Sequence, residues 1–152
     1  MYSKEEVSAM RQGFWTAFGM YMGPVPNAEG DKINWVNYKT GVKHHWYKMK
    51  AEGNTATISF ENTDPDHEAQ VFFYNQMKIL NNEWLAHMGN GWTCEPPALA
   101  KEGNLICSIY TVLHGPDLFH KEDWPQLISF FKNHLISFDA FWCNFKYAFR
   151  GW

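Results

Sequence analysis

Cysteine is scarce in this chain of 152 residues, which contains three and no Cys-x-x-Cys pair. An odd number of widely spaced thiols (Cys94, Cys107 and Cys143) does not form the disulfide framework of a small secreted domain, and it favours reduced thiols in a cytoplasm. The first residues carry Glu5 and Glu6 where a signal peptide needs basic residues followed by an apolar run. We therefore expect a cytoplasmic protein.

A surplus of basic charge is also lacking. The sequence has 13 Lys and Arg residues against 16 Asp and Glu residues, which gives a formal net charge of −3. Dedicated nucleic-acid-binding domains usually carry a basic surplus, so nucleic acid is a possible partner but not the favoured one. The longest apolar runs fall short of the ~20 residues that a membrane-spanning helix needs, and we expect no membrane segment.

Familiar catalytic motifs are missing as well. The chain has no Gly-rich phosphate loop, no Gly-x-Ser-x-Gly and no set of kinase motifs. His44 and His45 are adjacent on a predicted strand, so they point to opposite faces and do not chelate one ion together. The His and Asp residues of the loop 114–123 match no standard spacing of metal ligands. We therefore expect no metal and no cofactor, and a protein without catalytic activity is favoured over an enzyme without being decided.

Aromatic residues, by contrast, are abundant. Eight Trp, seven Tyr and twelve Phe make up 18% of the chain. Each such side chain buries roughly 150–250 Å², so a single domain over residues 1–152 is expected to have a well-filled core. Rings in excess of the core would be available for a pocket, and one hypothesis is a protein that binds a small apolar or aromatic ligand.

The pattern of apolar residues predicts an α+β fold with a mostly antiparallel five-stranded sheet and packed helices. The predicted order is α-β-β-β-α-β-β-α. Ser3 and Glu6 form a capping-box pattern that begins the first helix. Strands are predicted at residues 32–39, 42–50, 55–61, 92–95 and 105–113. One helix is predicted from Asp64 to about His87, and the last begins after Asp123.

Strict alternation is clearest in the third predicted strand. Ala56, Ile58 and Phe60 are expected to face the core, and the residues between them are expected to face away from it. The leading functional hypothesis is a non-catalytic binding or interaction domain that uses the polar face of the first three strands. Its candidate binding residues are Asn34, Asn37, Lys39, His44, Lys48 and Glu61.

A metal-dependent nuclease is the alternative. The restriction-endonuclease-like core shares the order α-β-β-β-α-β and holds a divalent metal with an Asp and a Glu-x-Lys. Here the acids at hand are Glu29, Asp31 and Glu61. No Lys follows Glu61 at the third place, although Lys48 on the neighbouring strand would substitute for it in space. The alternative is therefore a degenerate nuclease site.

The last helix suggests a homodimer. Four aromatic residues on or just after this helix fall partly outside its core-facing stripe: Phe130, Trp142, Tyr147 and Trp152. A monomer seldom leaves a large apolar patch open to water, and a self-complementary dimer would cover one.

Three segments resemble a small bacterial domain family of unknown function, the domain of unknown function family 4268. They read FWTAFG (residues 14–19), EGDKINWVNYKTGVK (29–43) and EDWPQLISFF (122–131), the last continuing to Phe141 and Trp142. The resemblance implies an accessory role near nucleic acid or genome defence, since related domains occur fused behind nuclease-like modules. It supplies no catalytic residue.

Overall fold

The computed structural model describes residues 2–150, and within that range the chain forms four α-helices and four β-strands. The helices are α1 (Lys4–Met22), α2 (His67–Ile79), α3 (Asn81–Met88) and α4 (Trp124–Phe145). The strands are β1 (His45–Glu52), β2 (Thr55–Asn62), β3 (Thr93–Leu99) and β4 (Leu105–His114). Two short 3₁₀ helices, Lys121–Asp123 and Lys146–Phe149, flank α4.

The four strands form one antiparallel sheet in the order β1-β2-β4-β3. Strand β3 lies at one edge, and its pairing with β4 is irregular between Glu95 and Ala98. Pro96 and Pro97 occupy that irregularity. Proline cannot donate to a ladder, so this edge is a poor template for a further strand. Within residues 2–150, no helix is both long enough and apolar enough to cross a bilayer.

The α+β class is confirmed, but the prediction of five strands is wrong. Residues 32–39 form no strand, and the observed order is α-β-β-α-α-β-β-α. The aromatic residues that suggested a strand instead attach an irregular segment to the helices. Trp35 is buried and donates its indole N–H to the carbonyl of Val25 at 2.8 Å, and the Tyr38 hydroxyl reaches α4.

The helix predicted from Asp64 to His87 is two helices with a junction at Leu80. The N-cap of α2 is Asp66, whose carboxylate accepts the backbone N–H of Glu68 at 3.0 Å. At the first helix, the predicted capping box is confirmed, because Ser3 and Glu6 accept each other's backbone N–H groups at 3.1 and 3.2 Å.

The core lies on one face of the sheet. Ala56, Ile58 and Phe60 are fully buried there, as their alternation predicted. The ring of Phe60 lies within 6.1 Å of aromatic rings from α2, α3, α4 and the 3₁₀ helix that follows α4; these partners are Phe73, Trp84, Phe138, Trp142 and Phe149. Helix α1 adds a further layer by packing Phe14 and Phe18 on Phe131 of α4.

The rings that suggested a dimer are mostly covered by the chain itself. Trp142 is 3% exposed, and Phe130 is half-buried against the core. Tyr147 is 66% exposed, and Trp152 lies outside the described residues. One exposed ring is not a contiguous apolar patch, so the observation behind the dimer hypothesis is absent from residues 2–150.

Phe60→Ala is expected to destabilise the protein by about 3–5 kcal/mol, because it removes the ring on which three helices converge. Urea unfolding with an unchanged m-value would measure the loss. Ile79→Ala is the control, since Ile79 is 71% exposed and surface substitutions usually stay within about 0.5 kcal/mol. Equal losses in the two variants would contradict this description of the core.

Candidate functional site

A pocket of about 490 Å³ lies between α4 and the irregular segment of residues 23–44, which we call the connecting segment. Its lining includes four residues that the sequence had singled out: Glu29, Asn34, Asn37 and Lys39. Helix α4 and the residue after it supply the opposite wall with Asp139, Trp142, Cys143 and Lys146. We call this the α4 pocket.

The connecting segment begins with a turn that its own sequence dictates. The side-chain oxygen of Asn27 accepts the backbone N–H groups of Glu29 and Asp31, at 3.0 and 2.8 Å. This is the Asx-turn geometry that Asn favours. Gly30 occupies the left-handed region at φ 86°, where a side chain would be strained. The turn places Glu29 in the lining of the pocket.

Helix α4 holds the connecting segment at three points. The Asp139 carboxylate accepts the backbone N–H of Ala28 at 2.7 Å and the hydroxyl of Tyr38 at 2.6 Å. One helical turn further on, the Trp142 indole N–H donates to the carbonyl of Thr40 at 2.6 Å. Residues three apart on a helix share a face, so Asp139 and Trp142 together fix the pocket wall.

Asp139 is 8% exposed and lies on the aromatic side of α4. A buried carboxylate is costly unless hydrogen bonds satisfy it, and here each of its oxygens accepts one short bond. Burial raises the pKa of the Tyr38 hydroxyl above its ordinary value, and the hydrogen bond to Asp139 raises it further. Tyr38 therefore remains a proton donor to the carboxylate at neutral pH.

Two lysines approach the α4 pocket from its two walls. Lys39 belongs to the connecting segment, and Lys146 follows the last residue of α4. Neither forms an ion pair within 4.0 Å in the part of the chain that the structure describes. The pocket thus combines two ammonium groups that have no ion pair with two carboxylates, Glu29 and Asp139, of which Asp139 has both oxygens engaged in hydrogen bonds.

Lys48 and Glu61 lie elsewhere, on the face of the sheet opposite the one that buries Ile58 and Phe60. The Lys48 amine is 3.1 Å from one oxygen of Glu61, and the Ser59 hydroxyl donates to the other at 2.8 Å. These residues line a shallow groove of about 780 Å³ that we call the outer groove. Proximity of Lys48 to Glu61 was inferred from the sequence, and the antiparallel pairing of β1 with β2 produces it.

The residues of the nuclease hypothesis are therefore divided. Glu29 lines the α4 pocket, whereas Glu61 and Lys48 line the outer groove. Asp31 is exposed in the turn that Asn27 organises. Over residues 2–150, no three His, Cys, Asp or Glu side chains are grouped to hold a metal ion.

His44 occupies a third place, in the turn before β1. It is the one non-glycine residue with positive φ in the described range, at 66°. With Lys43, His45 and Arg150 it lines a depression of about 420 Å³. Burial lowers the pKa of the neighbouring His45 below its ordinary value, so burial disfavours the charged form of that imidazole.

Sequence reasoning missed Asp139, Tyr38 and Lys146 as site residues. A signal for Asp139 was present, because it is the one acidic residue in the 22 residues of α4 and stands between Phe138 and Phe141. A lone acid within an apolar stripe indicates a buried carboxylate with dedicated partners. The identity of those partners depends on where the connecting segment crosses the helix.

Comparison with known proteins identifies the family. The chain belongs to the family described as a domain of unknown function (DUF4268), whose model matches residues 10–146. This confirms the resemblance noted in the sequence, and the matched range includes both walls of the α4 pocket. No curated protein and no solved structure gave a significant match.

Tyr38→Phe is expected to destabilise the protein by about 1.5–3 kcal/mol, because a buried carboxylate loses one of its two hydrogen bonds. Tyr47→Phe is the matched control. The Tyr47 hydroxyl is also buried but has no hydrogen-bond partner in the described chain, so its removal should be neutral or stabilising. Urea denaturation of both variants would test this, and a Tyr38→Phe loss no larger than that of Tyr47→Phe would contradict the role given to Asp139.

Proposed function

We propose that this member of the DUF4268 family is a non-catalytic binding domain that holds an anionic ligand in the α4 pocket. The observation that carries the proposal is the approach of Lys39 and Lys146 from opposite walls, without an ion-pairing acid for either. Like charges at one site repel each other, and an anion bound between them would relieve that repulsion.

The other lining groups suit recognition of a small polar molecule. A volume of about 490 Å³ lies within the usual range for ligand pockets. The Asn34 side-chain oxygen accepts the backbone N–H of Asn37 at 3.3 Å, which leaves the Asn34 amide N–H groups available to a ligand. Ile33 and the ring of Trp142 supply apolar surface, and such a mixture of apolar wall and few polar groups is typical of binding sites.

Binding without catalysis is supported by the kinds of residues at the pocket. Cys143 is the one potential nucleophile with a thiol in the described lining, and no histidine accompanies it there. A catalytic thiol needs a base or a strongly cationic setting that favours the thiolate, usually with a histidine oriented by a third group. The hydroxyl of Tyr38 is engaged with Asp139.

Inorganic phosphate should stabilise the protein against thermal unfolding more than chloride does at equal ionic strength. At a concentration tenfold above the dissociation constant the gain would be about 1.4 kcal/mol. Lys39→Ala and Lys146→Ala should remove this gain, whereas Lys48→Ala should retain it because Lys48 lies in the outer groove. The ligand-dependent shift is the readout, since Lys146 also lies at the carboxyl end of α4, where a cation stabilises the helix by itself.

A gain that persists in both the Lys39→Ala and Lys146→Ala variants would contradict the anionic-ligand proposal. A small aromatic or apolar ligand is the alternative occupant of the same pocket, favoured by the presence of Ile33 and Trp142 in its lining. Stabilisation by indole but not by phosphate, retained when the lysines are removed, would support that alternative instead.

A metal-dependent nuclease is the second candidate function, and the 3.1 Å contact between Lys48 and Glu61 is the observation that favours it. We expect no cleavage of plasmid or single-stranded DNA or RNA with Mg²⁺ or Mn²⁺, because Glu29 and Asp31 lie apart from Glu61. Cleavage that Glu61→Gln abolishes would reverse this ranking. Cleavage that survives the substitution would indicate a contaminant or another site.

A further inference from the structure

The α4 pocket continues along the chain into two adjoining depressions. The first, of about 530 Å³, is lined by residues 38–46 and shares Tyr38, Lys39 and Thr40 with the α4 pocket. The second is the depression at His44, and it shares residues 41–45 with the first. The three depressions share residues of the segment from Lys39 to Trp46, and we call their combined lining the 39–46 surface.

Basic residues from two separate parts of the chain line the same depression twice along this surface. Lys39 and Lys146 line the α4 pocket, and Lys43 and Arg150 line the depression at His44. None of the four is ion-paired within residues 2–150. In a chain whose net charge is −3, four unpaired cations on one surface are a local reversal of sign.

Three carboxylates line the same depressions as these cations. Both oxygens of Asp139 accept hydrogen bonds inside the protein. Asp64 lines the depression at His44, and one of its oxygens accepts the backbone N–H of Asp66 at 2.9 Å. Glu29 also lines the α4 pocket. Because the four cations outnumber these three carboxylates by one, the surface carries a small net positive charge.

Two exposed aromatic rings accompany the cations. Tyr147 is 66% exposed, and its ring centroid lies 5.6 Å from the Lys146 amine and 4.9 Å from the Arg150 guanidinium. Trp46 is 50% exposed and lines the same depression as Lys39 and Lys43. Its indole N–H donates to the Thr63 hydroxyl at 2.8 Å, which fixes the orientation of the ring.

We infer that the 39–46 surface binds single-stranded nucleic acid, with phosphates at the paired cations and bases stacked on Tyr147 and Trp46. The inference rests on the proposed function, because the α4 pocket would hold one of the phosphates. The Lys146 amine and the Arg150 guanidinium lie 5.6 and 4.9 Å from the centroid of the same ring, that of Tyr147, and would contact adjacent phosphates. Exposed ring faces favour a single strand over a duplex, because only unpaired bases present their own faces for stacking.

Fluorescence anisotropy of a labelled 12-residue oligothymidylate, titrated with the full chain at several salt concentrations, would test the inference. Four phosphate contacts predict that the logarithm of the association constant falls with the logarithm of salt concentration with a slope of about −2.8. Lys43→Ala and Arg150→Ala should each reduce that slope by about 0.7. Lys4→Ala removes the same charge from the exposed start of α1 and should leave the slope unchanged.

The aromatic residues provide an independent readout. Tyr147→Ala and Trp46→Ala should weaken binding at least about fivefold without changing the slope, as expected for loss of base stacking. Both side chains are exposed, so the variants should fold. Ile79→Ala serves as the control for removal of an exposed apolar side chain.

Several results would overturn the inference. These are no binding at low salt, a slope that Lys43→Ala and Arg150→Ala do not change, or equal affinity for duplex DNA with no effect of the aromatic substitutions. Binding to phosphatidylserine vesicles but not to the oligonucleotide would assign the cations to a lipid surface. Two further results separate this inference from the proposed function. Phosphate stabilisation that depends on Lys39 and Lys146, without oligonucleotide binding, would overturn this inference and leave the proposed function standing.

Oligonucleotide binding that needs Lys43 and Arg150 but not Lys39 or Lys146 would instead contradict the proposal that the α4 pocket holds an anion.

Discussion

The packing of Phe60 against Phe138 and Trp142 positions most of the molecule. Phe60 lies on a central strand, and the two α4 rings lie 4.9 and 5.3 Å from it. Aromatic pairs at such distances add specific geometry to a large burial of apolar area. Because α2 and α3 also place rings on Phe60, and α1 packs on α4, a shift of this contact would move all four helices relative to the sheet.

Once α4 is fixed, the connecting segment has little freedom. Asp139 is carried into the interior by the same helical face that buries Phe138 and Trp142. A carboxylate in that place requires donors, and the segment supplies the backbone N–H of Ala28 and the Tyr38 hydroxyl. The same interaction therefore satisfies a buried charge and shapes one wall of the α4 pocket.

This arrangement also explains why basic groups collect on the outside of the segment. Residues 39–46 leave the α4 pocket and enter β1, and the chain end that follows α4 runs beside them, so cations from both meet across shallow depressions. The outer face of the sheet differs, since Lys48 and Lys50 are paired there with Glu61 and Glu52. Total charge alone does not distinguish these two surfaces, because it ignores which lysines have acidic neighbours.

Local patterns in the sequence determined the parts of the fold that depend on near neighbours. The capping box at Ser3, the alternation of Ala56, Ile58 and Phe60, and the aromatic stripe of α4 each reflect one periodicity or one turn. The lateral pairing of Lys48 with Glu61 follows from a tight hairpin.

Only the tertiary structure decided the remainder. Residues 32–39 have the β-branched and aromatic composition of a strand, yet they form no fifth strand. Instead, Trp35 is buried in the core and Tyr38 forms a hydrogen bond with Asp139 of α4. Asp139 meets Tyr38 across 101 positions of sequence, and Lys39 and Lys43 meet Lys146 and Arg150 across a similar separation. Such contacts are set by the way α4 crosses the connecting segment, and no local propensity specifies that crossing.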